Sequence, residues 1–234
     1  MNSRHNLQLK LAPWALLSVS VAWGLAFVVM KPAIERQNVN NFLFTRFVLA
    51  VLVMILIRPQ VVKLFTKDLL LRGFGAGLFL GVGYIFQTLG LANTGAAVTG
   101  FVTGLYVVLT PLFAAVIFKE RISKTVWFYV FLATIGLGLL SIHGFSVGYG
   151  EFLVFLSAIA FAGHITALSK WSAGRDVYAM TITQLIMCAI LTGIASSIEG
   201  YSPPPDYGVW AVVIFTAVFC TAIAFIVQTW SQAH

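Results

Sequence analysis

The sequence predicts an all-α, polytopic membrane helix bundle, and three observations predict it. Of 234 residues, 60% are hydrophobic and 9% charged, whereas a soluble domain carries about 25% charged residues. The apolar residues gather into eight runs, each long enough to span a bilayer as a helix. An internal repeat then recurs at nearly constant offset. A mean hydropathy of +0.96 leaves more apolar surface than water can cover, so the excess must meet lipid. A soluble enzyme, a disordered tail and a secreted disulfide scaffold are excluded on these grounds.

The runs cover residues 12–34, 40–58, 69–92, 95–118, 124–143, 148–169, 177–197 and 209–230. The period-2 alternation of a barrel is absent, which leaves closed helices as the way to satisfy the backbone in hydrocarbon. Cys188 and Cys220 both fall inside apolar runs, so neither a disulfide nor a cysteine-based metal site is indicated. No cofactor is indicated either.

Basic residues set the orientation. Arg4 and Lys10 precede run one; Arg58, Lys63, Lys67 and Arg72 separate runs two and three. Lys119, Arg121 and Lys124 follow run four, and Lys170 and Arg175 follow run six. The alternate gaps hold only Lys31 and Arg36. This bias places the N-terminus in the cytoplasm and the segment Glu199–Gly208 outside. The net charge of +7 is thereby explained by topology, and nucleic acid is not expected as a partner.

The repeat decides the expected architecture. Ala22-Trp23-Gly24 through Lys31 aligns with Phe161-Ala162-Gly163 through Lys170 at an offset of 139. Thr45-Arg46-Phe47 aligns with Thr183-Gln184-Leu185 at 138, and Gln87-Thr88-Leu89 with Gln228-Thr229-Trp230 at 141. A first unit of five spans, residues 1–143, forces the second, residues 144–234, to run the opposite way through the membrane. Inverted repeats are a feature of secondary transporters, in which two related bundles rock about a central site. The alternative is a non-transporting membrane interaction protein or an inactive fragment of a transporter.

These residues carry a resemblance. Trp23-Gly24, Arg46-Phe47, the stretch Leu109-Thr110-Pro111-Leu112-Phe113-Ala114-Ala115 and Lys119-Glu120-Arg121-Ile122 resemble the drug/metabolite transporter superfamily in its EamA-type branch. Gln184 and the Thr221 to Gln228-Thr229-Trp230 run add to the likeness. The resemblance implies ten helices in two inverted five-helix repeats and export of small metabolites across the cytoplasmic membrane. The chain stops at His234, so the second repeat is expected to end after its third helix, without a counterpart of Thr94–Ile142. Gln184, Cys188 and Thr192 would then form a polar stripe short of partners, and a homodimer or a marginal fold is expected.

Candidate binding residues follow from polar or aromatic groups inside spans. Arg46 lies about two turns into span two and reads either as an arginine reaching back to the outer interface or as a cation facing the bundle. In the second role it would pair with a substrate carboxylate or a transient acidic partner. Thr99, Thr103, Tyr106 and Thr110 share one face of span four, lining a wet cavity or bonding their own backbone. Trp23, Tyr84 and Gln87 would supply an aromatic wall with few polar anchors, as a small-molecule site requires. His164 reads as a proton-coupled switch or as a structural histidine, and Gln184 occupies the repeat position of Arg46.

Other features read as structural. Gly73, Gly77 and Gly81, and Gly100 with Gly104, are expected as helix packing faces. Pro111 is expected to kink span four, and Glu120 to form salt bridges at its end. No Gly-x-Ser-x-Gly elbow, His-Glu-x-x-His, P-loop or pair of intramembrane carboxylates is present, so catalysis has no constellation to rest on.

Overall fold

The computed structural model describes residues 3–119, 123–141 and 148–232, and among these every regular element is helical. The helices are α1 (Ser3–Ile34), α2 (Val39–Ile57), α3 (Lys67–Asn93), α4 (Ala96–Gly104), α5 (Tyr106–Phe118) and α6 (Lys124–Ser141). They continue as α7 (Tyr149–Trp171), α8 (Val177–Glu199), α9 (Tyr207–Ala217) and α10 (Ala224–Gln232). A π-helical turn, Val218–Ile223, joins α9 to α10 into one span, and a 3-10 turn, Pro59–Leu64, links α2 to α3. Among the described residues seven segments are long and apolar enough to cross a membrane, and each matches an expected run. The remaining run, at residues 124–143, contains α6; its last two residues and Glu120 lie outside the described residues.

Helix starts follow capping chemistry. The Asn38 side chain accepts from the Asn40 and Asn41 amides, Thr66 from Leu69, Asp176 from Ala179 and Asp206 from Val209. One helix end is closed by a distant cation: Lys31 Nζ donates to Leu91 O, Ala92 O and Thr94 O at 2.7–3.1 Å. It neutralises carbonyls that the last turn of α3 leaves open.

The bundle centres on α2, α3, α7 and α8, with α3 packed most extensively against α7 and α8, and α2 against α8. Glycines permit the close approach. A Cβ at Gly77 would lie 2.6 Å from Gln184 O, and one at Gly90 would lie 2.8 Å from Gly150 O. Gly73 faces Thr183 without room for a methyl group. Two expectations about span four change. It breaks at Leu105, whose amide bonds Val102 O, well ahead of Pro111. Gly100 and Gly104 do not share one packing face: a Cβ at Gly100 would touch the Phe27 ring at 3.5 Å, whereas one at Gly104 would meet nothing within 4 Å.

The polar stripe on α8 also differs from expectation. Gln184, Cys188 and Thr192 are buried within the bundle. Thr192 Oγ1 donates to Cys188 O at 2.8 Å, and Gln184 is bonded at both ends of its amide. The stripe therefore supplies no unmet polar group to drive dimerisation. Ion pairs gather at the bundle ends. Arg58–Asp176 and the Asp68–Arg72–Arg175 cluster join loops at one end, and Arg36–Asp206 joins loops at the other.

Candidate functional site

A cavity of about 330 Å³ opens between α1, α3, α4, α7 and α10, with Arg46 of α2 at its side. That volume suits a small organic molecule. Its wall is aromatic. Tyr84 packs edge-on against Phe161 at 5.5 Å and against Phe225 at 6.2 Å, and Trp23 lies 5.7 Å from Phe225. These rings come from four different spans, so the wall exists only in the folded bundle.

Among the described residues Arg46 is the one charged group lining the cavity, and it is 2% exposed. The interface-reaching alternative is thereby overturned. An arginine at a helix centre carries an insertion cost of roughly 2.5–3.5 kcal/mol, which its surroundings must offset. Its Nε donates to Thr221 Oγ1 at 2.8 Å, and Nη1 approaches Met30 Sδ at 3.5 Å. The guanidinium also lies over the Tyr84 ring, 5.0 Å from its centroid. No carboxylate among the described residues pairs with it, and no hydrogen bond joins Nη2 to a carbonyl or hydroxyl oxygen of the described residues within 3.5 Å.

The remaining polar groups are sparse. Gln87 Nε2 donates to Thr103 Oγ1 at 3.2 Å. His164 Nε2 and Gln184 Oε1 are 2.6 Å apart. Because Gln184 Nε2 donates to Met180 O, its oxygen accepts, which assigns His164 Nε2 as the donor and leaves Nδ1 as the free ring nitrogen. Gln228 lines the cavity at 6% exposure, and its Oε1 has no hydrogen-bond partner.

Of the expected binding residues, Trp23, Arg46, Tyr84, Gln87, Thr103, Tyr106 and His164 line this one cavity. Thr99 does not: its Oγ1 donates to Gly95 O, as Thr110 Oγ1 does to Tyr106 O. Gln184 stands behind His164 and orients it. The sequence reading missed Phe225 and Gln228 as cavity residues. The repeat held the signal, since at an offset of 141 they are the counterparts of Tyr84 and Gln87.

A bundle of membrane-crossing helices around an aromatic cavity with few polar anchors defines a polytopic membrane protein with a cavity at its centre. Residues 10–142 and 148–234 match the EamA-like transporter family, and the chain belongs to that family. It is 30% identical over 224 residues to an uncharacterized transporter of Archaeoglobus fulgidus, covering 95% of this chain and 70% of that one. It is 25% identical to the uncharacterized transporter YyaM of Bacillus subtilis, covering 93% of this chain and 75% of that one. A crystal structure at 18% identity superposes with a TM-score of 0.70, covering 94% of this chain and 78% of its own, which is a likeness of fold.

Proposed function

We propose that the chain is a secondary transporter that carries a small organic carboxylate, amino-acid-like in kind, out across the cytoplasmic membrane by alternating access. One observation carries the substrate class. Arg46 lines the cavity with guanidinium donors left over from its bonds to Thr221 and Met30, and no carboxylate among the described residues pairs with it. A planar anion would offset that charge and use the fork geometrically.

The rocking mechanism draws support from two features. The family matches the chain in two separate segments, consistent with units at 1–143 and 144–234. The packing has the symmetry an inverted repeat would give. Contact of α2 with α8 lies on the axis, that of α3 with α8 mirrors α2 with the α9–π–α10 span, and that of α3 with α7 mirrors α1 with that span. The cavity lies where the two halves meet. In this reading the N-terminus and the basic loops face the cytoplasm, as the charge bias requires.

The test is flux in proteoliposomes with a panel of amino acids and small carboxylates against their neutral amides. Arg46→Lys is expected to slow transport of an anion about tenfold or more and to spare a neutral analogue. No flux from folded, reconstituted protein would favour a non-transporting membrane interaction protein. Equal losses for both probe types would remove the carboxylate assignment.

A further inference from the structure

The π-helical turn Val218–Ile223 has a consequence that the repeat makes visible. At the offset of 141, its counterpart in the first half is residues 77–82, which lie within the uninterrupted helix α3. The turn therefore breaks the symmetry of the two halves, and π-turns inside helices gather at functional positions. Here the turn places one hydroxyl. Thr221 Oγ1 donates to Thr216 O at 2.8 Å, one residue further back than a threonine in an ordinary helix reaches. Its remaining lone pairs then point at the guanidinium, and Arg46 Nε donates to it at 2.8 Å.

The turn is tied to α1 from outside. The Ala224 amide at its end bonds Thr221 O. Trp23 Nε1 donates to Cys220 O at 2.8 Å, and Cys220 Sγ donates to Ala22 O at 3.5 Å. The counterpart of Thr221 is Leu80 and that of Arg46 is Gln184, so the symmetry-related pair has neither the hydroxyl nor the cation. Of the two symmetry-related pairs, Arg46–Thr221 alone is equipped to aim a positive charge, and it joins the two halves.

We propose that Thr221 is a positioning residue for substrate recognition: the π-turn holds its hydroxyl against Arg46 Nε so that the Nη edge is presented to the cavity. This rests on the carboxylate reading above. An arginine tethered at Nε loses less freedom when an anion docks on its Nη groups, and the tether selects the orientation in which they face the ligand.

The experiment uses the full chain in lipid nanodiscs with phenylacetate and its neutral isostere phenylacetamide. Nitrogen-15 spectra read exchange of the Arg46 Nε proton, and equilibrium dialysis reads affinity. The wild type is expected to show a slowly exchanging Arg46 Nε–H and to prefer phenylacetate. Thr221→Val should speed that exchange, weaken phenylacetate about tenfold and leave phenylacetamide within about twofold. Thr221→Ser, which keeps the hydroxyl, should restore both readouts. A preference for phenylacetate that survives Thr221→Val overturns the positioning role and leaves the carboxylate reading standing. Equal affinity of the wild type for the two probes overturns the carboxylate reading and this inference with it. Equal weakening of both probes without rescue by serine reduces Thr221 to a packing residue. Should Thr221→Val not fold, the wild-type spectrum decides: an Arg46 Nε–H exchanging as fast as that of the exposed Arg36 overturns the tether.

Discussion

His164 Nε2 donates to Gln184 Oε1 at 2.6 Å, a bond between α7 and α8 in which both side chains are almost wholly buried. Each side chain's polar atom is the other's partner at 1% exposure. Gln184→Leu would leave the imidazole donor unpaired, and a loss of about 1–2 kcal/mol in unfolding free energy is expected. His164→Leu should have a similar effect. The double variant should fall short of the sum by about 0.5 kcal/mol or more, because the second change removes an already orphaned group. Additive losses in denaturant titrations would show that the pair contributes no coupling.

The Gln87–Thr103 bond ties α3 to the broken span four beside the cavity. Thr103→Leu should abolish flux and keep the folded yield, since the larger side chain enters open space and deprives Gln87 of its acceptor. Size-exclusion profiles and flux, measured on the same preparation, check this. Loss of both together would mean that Thr103 is a packing residue.

The glycines divide into two groups with opposite outcomes. Gly104→Leu projects into the cavity, where a Cβ meets nothing within 4 Å, and is expected to block transport without lowering the melting temperature. Gly77→Ala puts a Cβ 2.6 Å from Gln184 O and must push α3 off α8, at a cost of roughly 1–3 kcal/mol. A Gly77→Ala protein as stable as the wild type would show that this interface yields easily.

Topology is open to a labelling test. Ser202 and Lys63 are both exposed and lie toward opposite ends of α2. The native Cys188 and Cys220 are buried, so a membrane-impermeant maleimide should find little background. Applied from outside the cell, it should modify Ser202→Cys and spare Lys63→Cys. The reverse pattern would invert the orientation drawn from the basic loops.

Much of the candidate site was legible because the membrane makes each polar group inside a span conspicuous. Arg46, Gln87, Thr103 and His164 stood out against apolar neighbours, and all four line the cavity. Phe225 did not, since a phenylalanine in an apolar helix carries no signal of its own and only the repeat offset marks it. The interruption of span four at Leu105 had no such signal either, since Leu105 is one apolar residue among many and Pro111 lies inside the helix that follows.

The sequence by itself determined that the chain is a membrane bundle, where its spans lie and which residues repeat. Those properties follow from hydropathy, length and order along one chain. Only the tertiary structure decided that Arg46 turns inward to Thr221, that Gly104 lines a space while Gly77 fills a contact, and that the α8 stripe is satisfied within the bundle. Each of these depends on which helix stands opposite. An isolated helix has the same polar stripe or glycine whether its neighbour is lipid, a cavity or another backbone, so the distinction arises only when the spans assemble.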